Sequence, residues 1–139
     1  MKRYEELDHT ADLRIVFYGR SIGELFRNAG LGLFELMVTP LDEGPAHMEE
    51  IRIEGDDLED LIVNWLRELH GRFVVDGEVV TGVEDCHVVG GRTIAARIEV
   101  VPFDSAIHRH LREIKAVTYH GVRVGEEGGR WAARIVFDV

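Results

Sequence analysis

Between Leu58 and Leu69 the apolar residues Leu58, Leu61, Ile62, Trp65, Leu66 and Leu69 fall at i, i+3, i+4, i+7, i+8 and i+11, and after Gly71 that spacing gives way to period two. A stripe of this kind turns one side of a helix toward a core, and Trp65, in its middle, reads as core. Asp56 or Asp57 stands where the helix needs an acceptor for its first free N–H groups. The later pattern predicts short strands over Phe73-Val74-Val75, Glu78 to Thr81 and Val83 to Val89, then Arg92 to Val101 across a Gly90-Gly91 turn. A last hairpin pairs Ala116 to Val124 with Arg130 to Asp138 around Gly125 to Gly129.

Upstream, Leu13 to Tyr18 is β-prone and stops at Gly19, and Ser21 with Glu24 forms a capping-box pattern that opens another helix. Ile22, Leu25, Phe26, Ala29, Leu33, Leu36 and Met37 keep helical spacing until Thr39-Pro40, while Gly30 and Gly32 leave room for close packing against a neighbouring backbone. Leu41 to His47 reads as a surface loop, and Met48 to Glu54 alternates as a half-buried strand does. Helices come early and strands late, with links too short for parallel crossovers. The expected architecture is therefore α+β and two-layered, a largely antiparallel sheet with two main helices packed on one face. No internal repeat or linker stands out, so residues 1–139 are expected to form one domain.

The 26 acidic residues against 16 basic ones give a formal charge of −10, which repels phosphate backbones and argues against direct nucleic-acid binding. Any connection to RNA is expected to run through a protein partner. Fourteen of the basic residues are arginine, leaving only Lys2 and Lys115, so Lys115 marks a place suited to a compact ammonium. The single cysteine, Cys86, cannot form an internal disulfide, no apolar leader opens the chain and no run approaches a membrane span; a cytoplasmic location is expected. Gly30-Leu31-Gly32 lies inside a helical pattern, not after a strand, and no Walker lysine, nucleophile elbow or kinase loop occurs, so the chain is not expected to bind a nucleotide by itself.

Asp12 directly precedes a strand, where a carboxylate caps backbone N–H groups or binds a cation. Alternation puts Trp131, Ala133, Ile135 and Phe137 on one face of the last strand and Arg134, Val136 and Asp138 on the other. Val139 adds a terminal carboxylate beside Asp138. Should folding bring Asp12 to them, the donors are all oxygen and suit calcium or magnesium better than zinc or copper; otherwise such charges stay solvated. His108, His110 and His120 form a rival set that could chelate zinc with His9 or Cys86, but no C-x-x-C or H-E-x-x-H spacing supports it, and surface histidines in a loop are the expectation. Cys86, flanked by Asp85 and His87, lacks the cationic surroundings of a nucleophile.

The strings His9-Thr10-Ala11-Asp12, Leu61-Ile62-Val63-Asn64-Trp65-Leu66-Arg67-Glu68-Leu69, Glu113 to His120, and Ala133 to Val139 resemble, in this order and across essentially the whole chain, the archease family. The resemblance implies an accessory protein and not an enzyme. Archeases serve the RtcB-type RNA ligase, which joins tRNA halves using a guanylylated histidine and manganese; they promote its guanylylation and multiple turnover. The resemblance further implies a calcium site, or one for another hard divalent cation such as magnesium, on Asp12, Asp138 and Val139, with Lys115 as the accompanying functional residue. A chaperone-like binder of tRNA-modifying enzymes such as a tRNA methyltransferase is the alternative. A metal-dependent hydrolase using Lys115 as an activated amine is a third class, and it needs a deep pocket that the sequence does not predict. No role passes to His108, His110 or His120.

Overall fold

The computed structural model describes residues 1–7 and 11–139. Among the described residues ten strands and two helices follow in the order β1 (Tyr4–Leu7), β2 (Leu13–Gly19), α1 (Ile22–Met37), β3 (Val38–Thr39), β4 (His47–Glu54), α2 (Leu58–Asp76), β5 (Glu78–Val89), β6 (Thr93–Pro102), β7 (Arg109–His110), β8 (Ala116–Val117), β9 (Arg123–Glu127) and β10 (Arg130–Asp138). Every pairing is antiparallel, and the fold is α+β as expected. The strands divide into a sheet in which β10 lies between β2 and the pair β8 and β9, with β1 outside β2, a three-stranded sheet β4-β6-β5, and a short β3-β7 ribbon. No helix of the described residues is long and apolar enough to cross a membrane.

Both helices begin with the same corner. In β2–α1, Ser21 accepts from the Glu24 N–H, Glu24 accepts from the Arg20 N–H, and the Asn28 side-chain amide donates to the Tyr18 carbonyl. In β4–α2, Asp57 accepts from the Asp60 N–H, Asp60 accepts from the Asp56 N–H, and Asn64 donates to the Glu54 carbonyl. Gly19 and Gly55 occupy equivalent places, each so close to the backbone of Leu25 or Leu61 that a Cβ would overlap it. The chain thus carries a repeated strand-to-helix corner that residue identities conceal, correcting the expectation of no repeat. Its two copies satisfy helix N-termini that would otherwise be left with free donors.

The predicted stripe of α2 is buried: Leu61, Ile62, Trp65, Leu66 and Leu69 are all fully enclosed, with Leu58 half-buried at the start. Trp65 donates its indole N–H to the Phe26 carbonyl of α1 at 2.9 Å, joining the two helices in the core. It packs where Gly30 has no side chain; a Cβ there would come within 3.0 Å of Leu69 and 3.3 Å of Trp65. Gly32 likewise faces Phe17 and Tyr4, so both glycines accommodate side chains, not the neighbouring backbone that their spacing suggested.

Three further expectations change. Phe73, Val74 and Val75 are helical: Phe73 extends the stripe four residues past Leu69 and meets Phe34 edge-on at 5.9 Å, so tertiary packing overrides the β-branched pair after it. The helix ends at Gly77, whose φ of +67° favours glycine. The strand foreseen from Ala116 to Val124 is interrupted around Gly121, φ +60°, and only its ends, β8 and β9, pair with β10. The Gly90-Gly91 turn is present, both residues at positive φ.

Candidate functional site

The register of the larger sheet decides which distant residues meet. Leu13, 1% exposed, pairs with Phe137, 0% exposed, so the start of β2 and the end of β10 are pinned side by side by core burial. Asp12 stands one residue before that pair and Asp138 one residue after it, at the same end of the sheet. On its other side β10 pairs Asp138 with Ala116, and the Lys115 N–H donates to the Asp138 carbonyl at 2.8 Å. Asp12, Lys115, Asp138 and Val139 therefore share one corner. Lys115, Asp138 and Val139 are exposed and Asp12 is half-buried.

The side chains of this corner are only partly engaged. Asp12 Oδ1 accepts from Arg14 Nε at 3.1 Å, and its other oxygen has no partner among the described residues. Neither the Asp138 carboxylate nor the Lys115 ammonium pairs with another side chain among the described residues. The Asp12 and Asp138 carboxylates offer oxygen donors, whose chemistry fits a hard divalent cation. His9, from the same string as Asp12, lies outside the described residues.

Among the described residues the rival histidine set is not assembled. His108, expected at the surface, is 2% exposed. Its Nδ1 accepts from the Asp104 N–H at 2.9 Å and its Nε2–H donates to the Glu43 carbonyl at 3.0 Å, so both ring nitrogens are used. His110 stacks on Phe103 with centroids 4.5 Å apart. His120 is exposed in the interrupted segment between β8 and β9. Burial pushes the Cys86 thiol up to about 11, which keeps it protonated and unreactive near neutrality.

Another cluster, His47, Glu49 and Glu78, brings its ligand atoms within 4.8 Å of one another. Arg72 already fills it. Its guanidinium lies 2.6 Å from Glu49, 3.2 Å from Glu78 and 2.9 Å from Glu68, supplying the positive charge these carboxylates need. The cluster is a bridge between α2 and the smaller sheet.

Residues 4–139 match the model of the Archease protein family (MTH1598/TM1083). A protein archease from Methanopyrus kandleri is 35% identical, the match covering 98% of this chain and 99% of that one, and one from Pyrococcus abyssi is 33% identical with both chains fully covered. The solution structure of Methanobacterium thermoautotrophicum protein 1598 superimposes with a TM-score of 0.73 at 28% identity, covering all of both chains. A Thermotoga maritima crystal structure, described as an archease and possible chaperone, shares the fold with a TM-score of 0.64 at 21% identity, over 97% of this chain and 96% of that one. The chain belongs to the archease family.

Proposed function

We propose that this protein is a non-enzymatic activator of an RtcB-type RNA ligase, promoting guanylylation and multiple turnover through the corner formed by Asp12, Lys115, Asp138 and Val139. The observation that supports this reading is the register: Leu13 pairs with Phe137, and the Lys115 backbone N–H donates to the Asp138 carbonyl, so Asp12, Asp138 and Lys115 stand at one end of the sheet. Asp12, Asp138 and the terminal carboxylate of Val139 hold a calcium or magnesium ion. Bound there, the ion supplies a compact positive charge for phosphate oxygens. Lys115 presents an exposed ammonium beside it, and the carboxylate edge is complementary to the basic, phosphate-binding mouth of a ligase.

The test is multiple-turnover ligation by the RtcB-type ligase of the same organism, with wild type, Lys115→Ala and Lys115→Arg. Stimulation by wild type that both variants lose supports an ammonium-specific role; full stimulation by Lys115→Ala contradicts it. A chaperone-like role toward a tRNA-modifying enzyme such as a methyltransferase is the second reading. Val74, Val75 and Leu111, apolar side chains each left exposed, favour it as points that a client protein could cover. Absence of ligase stimulation together with protection of such an enzyme from aggregation would support that reading instead.

A further inference from the structure

The face of the larger sheet turned away from the helices carries an unusual arrangement for so acidic a chain. Val16, Tyr18 and Ala132 form a small buried cluster there, with Leu7 against it. Arginines rise around this apolar floor. Arg134 of β10 pairs directly with Arg123 of β9, and Arg14 of β2 pairs with Val136, placing it diagonally next to Arg134 on the same face. Neither Arg123 nor Arg134 forms an ion pair or side-chain hydrogen bond among the described residues.

Like charges directly opposite each other on an antiparallel pair cost stability. Arg130, by contrast, lies 3.8 Å over the Tyr18 ring and pairs with Glu127, so its charge is accommodated. Among the described residues the facing pair has no such outlet, and it borders two adjoining cavities. One, of about 420 Å³, is lined by Leu7, Asp12, Arg14, His120, Arg123 and Arg134, among others. The second, of about 550 Å³, shares Leu7, Arg123 and Arg134 and runs over Tyr18 toward Glu126 and Glu127. In the smaller cavity Asp12 offsets Arg14, leaving the guanidinium groups of Arg123 and Arg134 without a counter-charge among the described residues and the His120 imidazole beside them. The formal charge of −10 belongs to the whole surface; here the local balance is reversed.

We propose that this cavity is a phosphoryl-binding site, in which Arg123 and Arg134 grip the anion from adjacent strands, with Arg14 and His120 as further donors. Planar guanidinium forks match phosphate oxygens two at a time, a fit that a lone carboxylate only half exploits. An anion between Arg123 and Arg134 would also offset their mutual repulsion. The phosphoryl group can come from a free nucleotide or from the phosphorylated end of a nucleic acid. The site adjoins the Asp12 corner but does not depend on the ligase reading, because its test needs no ligase.

Inorganic pyrophosphate is titrated into the full chain at low ionic strength by calorimetry, with arginine side-chain NMR shifts to locate it. One-to-one binding is expected, weakened about tenfold or more by Arg123→Gln or Arg134→Gln. Arg52→Gln and Arg97→Gln, on the smaller sheet, should bind as wild type does. Both trough variants should melt at or above the wild-type temperature, since each removes a like-charge pair, so weakened binding is not a sign of unfolding. ATP and a 5′-phosphorylated dinucleotide that displace pyrophosphate each support the site, and the tighter one names the source. No saturable binding, or equal weakening in the Arg52 and Arg97 variants, overturns the proposal. So does binding of a hexaglutamate peptide without binding of pyrophosphate, which would make the trough a surface for acidic protein segments.

Discussion

Replacing Gly19 by alanine should destabilise the protein far more than a single methyl group suggests. A Cβ at this position would sit 2.3 Å from the Leu25 backbone nitrogen and 2.6 Å from its Cα, and no rotamer change can relieve a clash with backbone. The corner between β2 and α1 must therefore open. Overpacking of this kind costs about 1–3 kcal/mol. Opening the corner also weakens the Ser21 cap, worth about 1 kcal/mol, and the bond from Asn28 to the Tyr18 carbonyl, worth about 1 kcal/mol more. Alanine restricts the unfolded chain and returns about 0.4–1 kcal/mol. The net loss is about 3 kcal/mol, or about 10 °C in melting temperature for a domain of this size. Gly125, on β9, is the control: a Cβ there meets nothing within 4 Å, so Gly125→Ala should stay within about 0.5 kcal/mol of wild type. Denaturant and thermal melts of both variants decide the matter. If Gly19→Ala melts within 2 or 3 °C of Gly125→Ala, on the scale of about 3–4 °C per kcal/mol, the corner yields at little cost and the close approach is not a constraint.

Gly71 lies inside α2 with open space around its missing Cβ, so Gly71→Ala should stabilise by about 0.5–1 kcal/mol, read as a higher denaturant midpoint at unchanged slope. The Tyr119 hydroxyl, 2.7 Å from Asp60, lowers the carboxyl below its ordinary value of 3.8, so its stabilising contribution is present above that value and lost as pH falls through the lower folded one. Tyr119→Phe should therefore melt below wild type at pH 6, with a gap that narrows as the pH falls below the ordinary carboxyl value of 3.8; a gap constant with pH would refute that origin. A C-terminal tag turns the Val139 carboxylate into an amide and should weaken calcium or magnesium binding, whereas an N-terminal tag should not; equal affinities in calorimetry would remove Val139 from the site.

Legibility of the fold followed the physics of each signal. The α2 stripe and the caps, at Ser21 and at Asp56 or Asp57, were readable because they depend on local spacing, and the structure selects Asp57. Phe73 to Val75 misled, because Val74 and Val75 favour strands locally while Phe73 reaches Phe34 on another helix. The repeated corner escaped notice because its copies conserve hydrogen-bond roles and not residue types: Ser21 answers to Asp57 and Glu24 to Asp60. Only Gly19 with Gly55, Leu25 with Leu61 and Asn28 with Asn64 repeat by identity. At the site, the face of Asp138 was legible from strand alternation, but its nearness to Asp12 rests on the β2–β10 register, which joins residues over a hundred positions apart. His108 was misplaced because its partners, the Asp104 N–H and the Glu43 carbonyl, are backbone groups without a sequence signature. Arg123 and Arg134 did leave a trace, standing symmetrically about the Gly128-Gly129 turn.

The central claim is that carboxylates at the Asp12–Asp138 corner act on a ligase. The most direct measurement compares wild type, Asp12→Asn and Asp138→Asn in multiple-turnover ligation by the organism's own RtcB-type ligase, with calcium titrations and melting curves on the same preparations. Both variants should melt within about 2 °C of wild type, because surface substitutions carry little packing energy, and both should lose calcium binding and stimulation together. Variants that lose calcium but stimulate as well as wild type would contradict the account, as would a wild-type protein that leaves ligase turnover unchanged.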